Sequence, residues 1–187
     1  ISHVSSVGEE AIDDFVRTFG YPDNQTSVIR RGIPIKELDR EYHRKKVRSE
    51  LGLKEGDKIA IHIGNFSPEK NHEFLVKLFE DIKDSHPFIK LVCVGTGVLF
   101  EGIRKEIVTK GLQDTVYLVG FRKDIPEILA GSDCFVLTSK VEGVPGVILE
   151  AGSQYIPSVA INVGGVPEVL MDNETGYLIN GFDLNKF

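Results

Sequence analysis

The chain has 187 residues, 41% of them hydrophobic and 27% charged, enough to bury the core of one ordinary α/β domain. Its net charge of −6 argues against non-specific nucleic-acid binding, which needs a basic surface. No apolar run reaches the ~18 residues that a membrane-spanning helix requires.

Strand and helix patterns alternate along the chain. "VGEEAIDDFVRTFG" (7–20) has helical apolar spacing and ends in a glycine suited to a C-cap. "SVIRRGIP" (27–34) reads as a strand running into a Gly-Pro turn, and "IKELDREYHRKKVRSELGL" (35–53) as a charged amphipathic helix. "DKIAIHIGN" (57–65) is a buried strand, followed by a loop and the helix "HEFLVKLFEDIK" (72–83). "FIKLVCVGTG" (88–97) and "LFEGIRKEIVTKG" (99–111) repeat strand, glycine turn and helix. "TVYLVGF" (115–121) and "CFVLTS" (134–139) are strands, separated by the short helix "DIPEILAGS" (124–132). "PGVILEAGSQ" (145–154) is a helix with Pro145 fitting its first position. "PSVAIN" (157–162), "GVPEVLMD" (165–172) and "TGYLIN" (175–180) give a strand, a short helix and a last strand.

Strands such as "IAIHI", "LVCV" and "FVLT" are apolar throughout, which suits a parallel sheet covered on both faces. Regular β-α alternation predicts a doubly wound, Rossmann-like α/β fold. The chain reads as one domain over 1–187, with residues 1–34 an entry segment from a neighbouring unit. It opens on Ile1, has its only methionine at Met171 and stops at "NGFDLNKF". That predicts a piece of a longer protein. Cys93 and Cys134 lie inside apolar runs and read as small core hydrophobes, in keeping with a reducing cytoplasm. The five histidines show no metal-binding spacing, and His62, in a buried strand, reads as a hydrogen-bonded core side chain.

In such sheets ligands bind in the turns that leave the carboxyl ends of the strands. Here these turns are "GNFSPEKN" (64–71), "GTG" (95–97), "GFRKD" (120–124), "SKVEGVPG" (139–146) and "NVGGVPE" (162–168), and each contains glycine. Amides at Gly143, Val144, Gly146 and Val147, at the start of a helix, favour an anion. Glu150, about one and a half turns into that helix, has the chemistry to accept two hydroxyls of a vicinal diol. Glu142, on the loop, has the same chemistry for a second polyol. Lys70 offers a compact positive charge for phosphate. Such a set suits a nucleotide-sugar. On residue type alone, ordinary helix-start and surface acids are the better reading of the two glutamates, and a solvated surface lysine that of Lys70. "GTG" lacks the third glycine of a dinucleotide fingerprint, which excludes that reading.

"EGVPGVILEA" (142–151) has the form E-x7-E, and "IHIGNFSPEKN" precedes it with a strand, a glycine and a lysine. "LVCVGTG", "VYLVGF", "SDCFVLTS" and "GGVPEVLMDNETGYLI" fall in order around them. In these motifs the sequence resembles the C-terminal, donor-binding domain of retaining glycosyltransferases of family 4, enzymes of the GT-B fold. The resemblance implies transfer of a hexose from a nucleotide diphosphate sugar to an acceptor hydroxyl of a glycan or glycolipid. It implies no metal and no cofactor beyond the donor itself. It gives Glu142 and Lys70 catalytic roles: Glu142 holds the transferred sugar with Gly143 and Val144, and Lys70 neutralises the diphosphate. It places Glu150 on the ribose, Gly64 and Gly146 beside the diphosphate, Gly95 and Asn65 along the donor cleft, and Phe121 and Arg122 near the base. Asn65 departs from the pattern, since the family usually has an arginine there, able to grip phosphate with two hydrogen bonds. The acceptor side, and any contact with the inner face of a membrane, would come from an N-terminal domain outside this chain, so the chain alone should bind donor with little transfer. A non-catalytic nucleotide-sugar-binding subunit and a GT-B epimerase remain open as alternatives.

Overall fold

A computed structural model describes residues 2–187. The chain begins with β1 (Val4–Ser6), α1 (Glu9–Phe19) and β2 (Thr26–Val28), then continues through α2 (Arg40–Leu51), β3 (Lys58–Ile63), α3 (His72–Ile82), β4 (Ile89–Val94) and α4 (Phe100–Thr109). It ends with β5 (Val116–Gly120), α5 (Ile125–Ala130), β6 (Cys134–Leu137), α6 (Gly146–Ser153), β7 (Ser158–Ile161) and β8 (Gly176–Ile179). Strands β3 to β8 form a six-stranded sheet in the order β5-β4-β3-β6-β7-β8. Every pairing in it is parallel. The winding direction changes between β3 and β6, so the loops after these two strands diverge and leave a crevice at the sheet's carboxyl edge.

Several boundaries differ from the sequence reading. The expected strand over 27–34 is confined to Thr26–Val28, and it pairs with β1 in a separate two-stranded parallel sheet. Helix α2 starts at Arg40 rather than residue 35, because the Asp39 carboxylate accepts the Tyr42 amide at 3.0 Å and fixes the first turn there. It ends at Gly52, whose φ of 66° is a left-handed helix stop. The expected helix over 165–172 is a single 3-10 turn, Val166–Glu168.

The apolar strands are buried from both sides. Ile59, Ile61, Val92, Phe135 and Leu137 pack with Val47, Ile128 and Ile148 on one face. Leu91, Cys93 and Val136 pack with Leu75, Phe79, Ile103 and Ile107 on the other. Burial pushes the Cys93 thiol up to about 12, so it behaves as the small hydrophobe expected. Cys134 is only partly buried.

One polar network crosses this core. The Arg48 guanidinium is 4% exposed and donates to the Asp57 carbonyl at 2.7 Å, the Gly131 carbonyl at 2.9 Å and the Asp133 carboxylate at 2.6 Å. Asp133 also takes Arg44 at 2.5 Å and the Ile59 amide at 2.8 Å. Burial alone would raise the Asp133 pKa; the Ile59 amide and the two guanidinium groups outweigh it and hold the carboxyl below its ordinary range.

Beside it lies a stack of aromatic rings. His72 stacks on Phe66 with centroids 3.8 Å apart and meets His62 edge-on at 4.7 Å. His62 Nδ1 lies 3.0 Å from the Val136 carbonyl, which can only accept, so this nitrogen carries the hydrogen. His62 is thus only half satisfied: its Nε2 and both ring nitrogens of His72 are buried without a partner among the described residues. Desolvation by burial drives the His62 pKa down to about 4 and the His72 pKa to about 3.

Removing Asp133 strands a buried guanidinium, so Asp133→Ala should cost about 3–5 kcal/mol in urea unfolding. A loss under about 1 kcal/mol would show that solvent replaces the carboxylate. The histidines set the acid limb. From the ordinary 6.5 down to about 4, the unfolded chain takes up protons that the folded one refuses, so stability falls with pH across that window and is flat above it. His72→Phe keeps the stack, leaves His62 in place and should roughly halve the slope between about pH 6.5 and 5, above the range in which the depressed carboxylates contribute.

Candidate functional site

The crevice between β3 and β6 gathers the first residues of interest. After β3 the chain makes one 3-10 turn, Pro68–Lys70, and then the left-handed Asn71 at φ 55°. Across the crevice the Lys140 amide donates to the Glu69 carbonyl at 2.7 Å, tying the two loops together. The Lys70 ammonium thereby meets the Glu142 carboxylate at 2.5 Å, with the two side chains 24% and 9% exposed. The structure brings together two residues 72 positions apart. Gly64 has a packing role as well as a location: a Cβ there would stand 3.5 Å from the Lys70 side chain and 3.2 Å from His62 Nε2. A side chain at 64 would crowd His62 and come into ordinary contact with Lys70.

The glycines of "GTG" are explained by backbone contact. Gly95 has φ 136°, and a Cβ on it would fall 2.0 Å from the Gly64 carbonyl oxygen. The Phe66 amide donates to the Thr96 carbonyl at 2.9 Å. Gly95 therefore supports the β3 loop from behind. Asn65 is exposed, and its side chain makes no hydrogen bond among the described residues.

The turn into α6 carries the second set. Pro145 is the N-cap, at φ −74° and ψ 104°, rather than the first helical residue as the sequence suggested. The helix thus starts at Gly146. The amides of Gly143, Val144, Gly146 and Val147 have no acceptor among the described residues. This turn rests on the β7 loop: Gly164, at φ 54°, leaves no room for a Cβ, which would overlap the Glu142 carbonyl oxygen. Glu142 and Glu150 stand on opposite sides of the amide turn. Glu142, Gly143 and Val144 line a cavity of about 250 Å³ with Gly8 and Glu168. Glu150 lines another of about 210 Å³ with Arg31, Ile125 and Pro126. Burial raises the Glu150 pKa, and the charge of Arg31 pulls it back down.

Phe121 and Arg122 lie at the end of β5, and the structure does not bring them to either cavity. Phe121 is 70% exposed. The Arg122 guanidinium is held by Asp124 at 2.5 Å and Glu50 at 3.1 Å, and the Asp124 carboxylate beside it raises its pKa further. The Arg122 side chain is thus committed within the protein, while the Phe121 ring stays open to solvent.

Three residues escaped the sequence reading. The Glu168 carboxylate accepts the Glu9 and Glu10 amides at 3.1 and 3.4 Å, capping α1, and also pairs with Arg30 at 2.5 Å. It ties the start of α1 and Arg30 to the loop after β7. Gly8 touches Val144 so closely that a Cβ would stand 2.5 Å from it. Arg31 lies over Gly146, where a Cβ would be 3.0 Å from its guanidinium. Gly8 sits in a stretch read as a helix, Glu168 in a turn running into an expected short helix, and Arg31 in a stretch read as a strand. No helix among the described residues is long and apolar enough to cross a membrane.

This geometry has known counterparts. The profile of the family described as glycosyl transferases group 1 matches residues 43–186. N-acetyl-alpha-D-glucosaminyl L-malate synthase of Bacillus anthracis is 35% identical over 71% of this chain and 35% of its own length. UDP-Gal:alpha-D-GlcNAc-diphosphoundecaprenol alpha-1,3-galactosyltransferase of Escherichia coli is 31% identical over 86% of this chain and 43% of its own. The crystal structure of Anabaena HepE in complex with UDP and glucose superimposes with a TM-score of 0.87 at 26% identity, over 98% of this chain and 50% of that one. The chain therefore spans half or less of the length of these relatives. With the parallel sheet, the switch-point crevice and a family match over most of its residues, the chain belongs to the glycosyl transferases group 1 family.

Proposed function

We propose that this chain is the donor-binding half of a retaining, metal-independent glycosyltransferase that moves a hexose from a nucleoside diphosphate sugar to an acceptor hydroxyl. The observation that carries this reading is the amide-lined turn at Gly143–Gly146 with a carboxylate on each side. In this arrangement the diphosphate sits on the unpaired amides, Glu150 takes the two ribose hydroxyls, and Glu142 holds the transferred sugar in the neighbouring cavity. The Lys70 ammonium lies where negative charge grows as the diphosphate leaves. A preorganised donor at that position lowers the barrier without moving during the reaction. In the absence of donor Glu142 neutralises Lys70, so the charge is held in place until a ligand competes for it.

Binding of UDP by HepE, and the UDP-Gal donor in the name of the Escherichia coli relative, support a uridine nucleotide as the donor. The acceptor, a glycan or glycolipid, would be held by a second domain, as the GT-B resemblance implies. Asn65 favours a second reading, a subunit that binds donor without transferring it, because an exposed amide there brings no charge to the leaving group.

Calorimetric titration tests the site. The chain should bind UDP in preference to GDP and ADP, and Glu150→Ala should weaken binding by about 1.5–3 kcal/mol, the value of hydrogen bonds to a charged group. Unchanged affinity in that variant would remove Glu150 from the ribose. The same titration carries a pH signature. A carboxylate must be ionised to accept both hydroxyls, and the Glu150 pKa lies above its ordinary value. Affinity should therefore start to fall, on acidification, above the usual carboxylate range, and this shoulder should vanish in Glu150→Ala.

A further inference from the structure

We infer that Arg31 is a second diphosphate-binding residue, making from the entry segment the contact that Asn65 cannot make from the β3 loop. The inference rests on the donor-site reading above and deepens it.

Lys70 meets a diphosphate already paired with Glu142, so the net charge the two bring to the crevice is small. A nucleoside diphosphate sugar brings two phosphate charges to be met. Asn65 supplies none. Arg31 is the cation that lies against the amide turn. Its guanidinium stands over Gly146, the first residue of α6, close enough that a Cβ there would be 3.0 Å from one terminal nitrogen and 3.2 Å from the central carbon. It shares the cavity of Glu150.

The position is the wrong sign for an unliganded helix. A cation is unfavourable at a helix N-terminus, where the amides already carry partial positive charge. No carboxylate lies within ion-pair distance of Arg31 among the described residues, unlike Arg30 next to it, which pairs with Glu9 and Glu168. An anion placed between the guanidinium and the unpaired amides satisfies both. Arginine suits that task, since its planar fork meets phosphate oxygens in pairs. The neighbouring ribose carboxylate fixes which phosphate is meant: the one joined to the ribose.

The glycine at 146 has a reason in this arrangement. A methyl group there would shift the guanidinium by a few tenths of an ångström, so Gly146→Ala acts through Arg31 as well as on the turn itself.

Titration of the full chain with UDP, UMP and uridine tests the assignment. Arg31→Ala should weaken UDP and UMP about tenfold at low salt, leave uridine unchanged, and lose less as salt is raised, because a partly exposed charge pair is screened. Gly146→Ala should weaken UDP in the parent chain and much less in the Arg31→Ala background, the coupling expected of residues in contact. Arg31 is exposed, so the variant keeps its fold and its circular dichroism. Parent-like UDP affinity in Arg31→Ala, or an equal loss for uridine, would overturn the inference. If Glu150→Ala abolishes binding while Arg31→Ala does not, this inference alone fails. If the parent chain binds none of UDP, GDP and ADP, the donor-site reading fails and takes the inference with it.

Discussion

The crevice at the edge of the sheet is organised around one ion pair that joins the loops after two neighbouring strands. Lys70 leaves the loop after β3, Glu142 the loop after β6, and they meet at 2.5 Å where the winding of the sheet reverses. Parallel strands send their carboxyl ends to one edge, and reversal between β3 and β6 opens the crevice there. The pair is little exposed, so it is worth more than a surface salt bridge and is costly to leave half-made. It keeps a positive charge in a low-dielectric site without a ligand. A diphosphate can then replace a carboxylate as its partner rather than meet a bare buried cation.

The turns around this pair are shaped by glycines, and the close contacts show why. Gly95 and Gly97 let the β4 loop press on the backbone of Gly64 and Phe66. Gly164 and Gly165 let the β7 loop press on Glu142 and Gly143. Each added Cβ would enter a carbonyl oxygen's space, so these positions tolerate only glycine. Behind them, Phe66 and His72 stack inside the core, and Arg48 with Asp133 locks α2 to the sheet. The loops that would touch a ligand are thus braced on rigid neighbours, as a site that must hold its geometry requires.

Much of this was legible in the residues. The alternation of apolar strands and helices gave the doubly wound sheet, because strands buried on both faces lose their polar alternation. The E-x7-E spacing placed Glu142 before the amide turn and Glu150 after it. The entry segment was harder. Three-residue strands β1 and β2 are too short for a period to show, and Arg30 and Arg31 have opposite surroundings that no local pattern separates. The stretch after Gly165 looked helical by spacing, but its chain closes after one 3-10 turn and passes into β8. Pro145 fits both the N-cap and the first helical position by residue type, and only the backbone angles decide. Glu168 lies 159 residues from the amide it caps, a contact that only the folded chain reveals.

Backbone amide resonances followed as UDP is added to the labelled chain would report whether a diphosphate seats on the turn between Glu142 and Glu150. Gly143, Val144, Gly146 and Val147 should shift first and together, with Gly64 and Lys70 following and the exposed face of α1 unmoved. Shifts confined to other turns, or none at these four amides at saturating UDP, would contradict it.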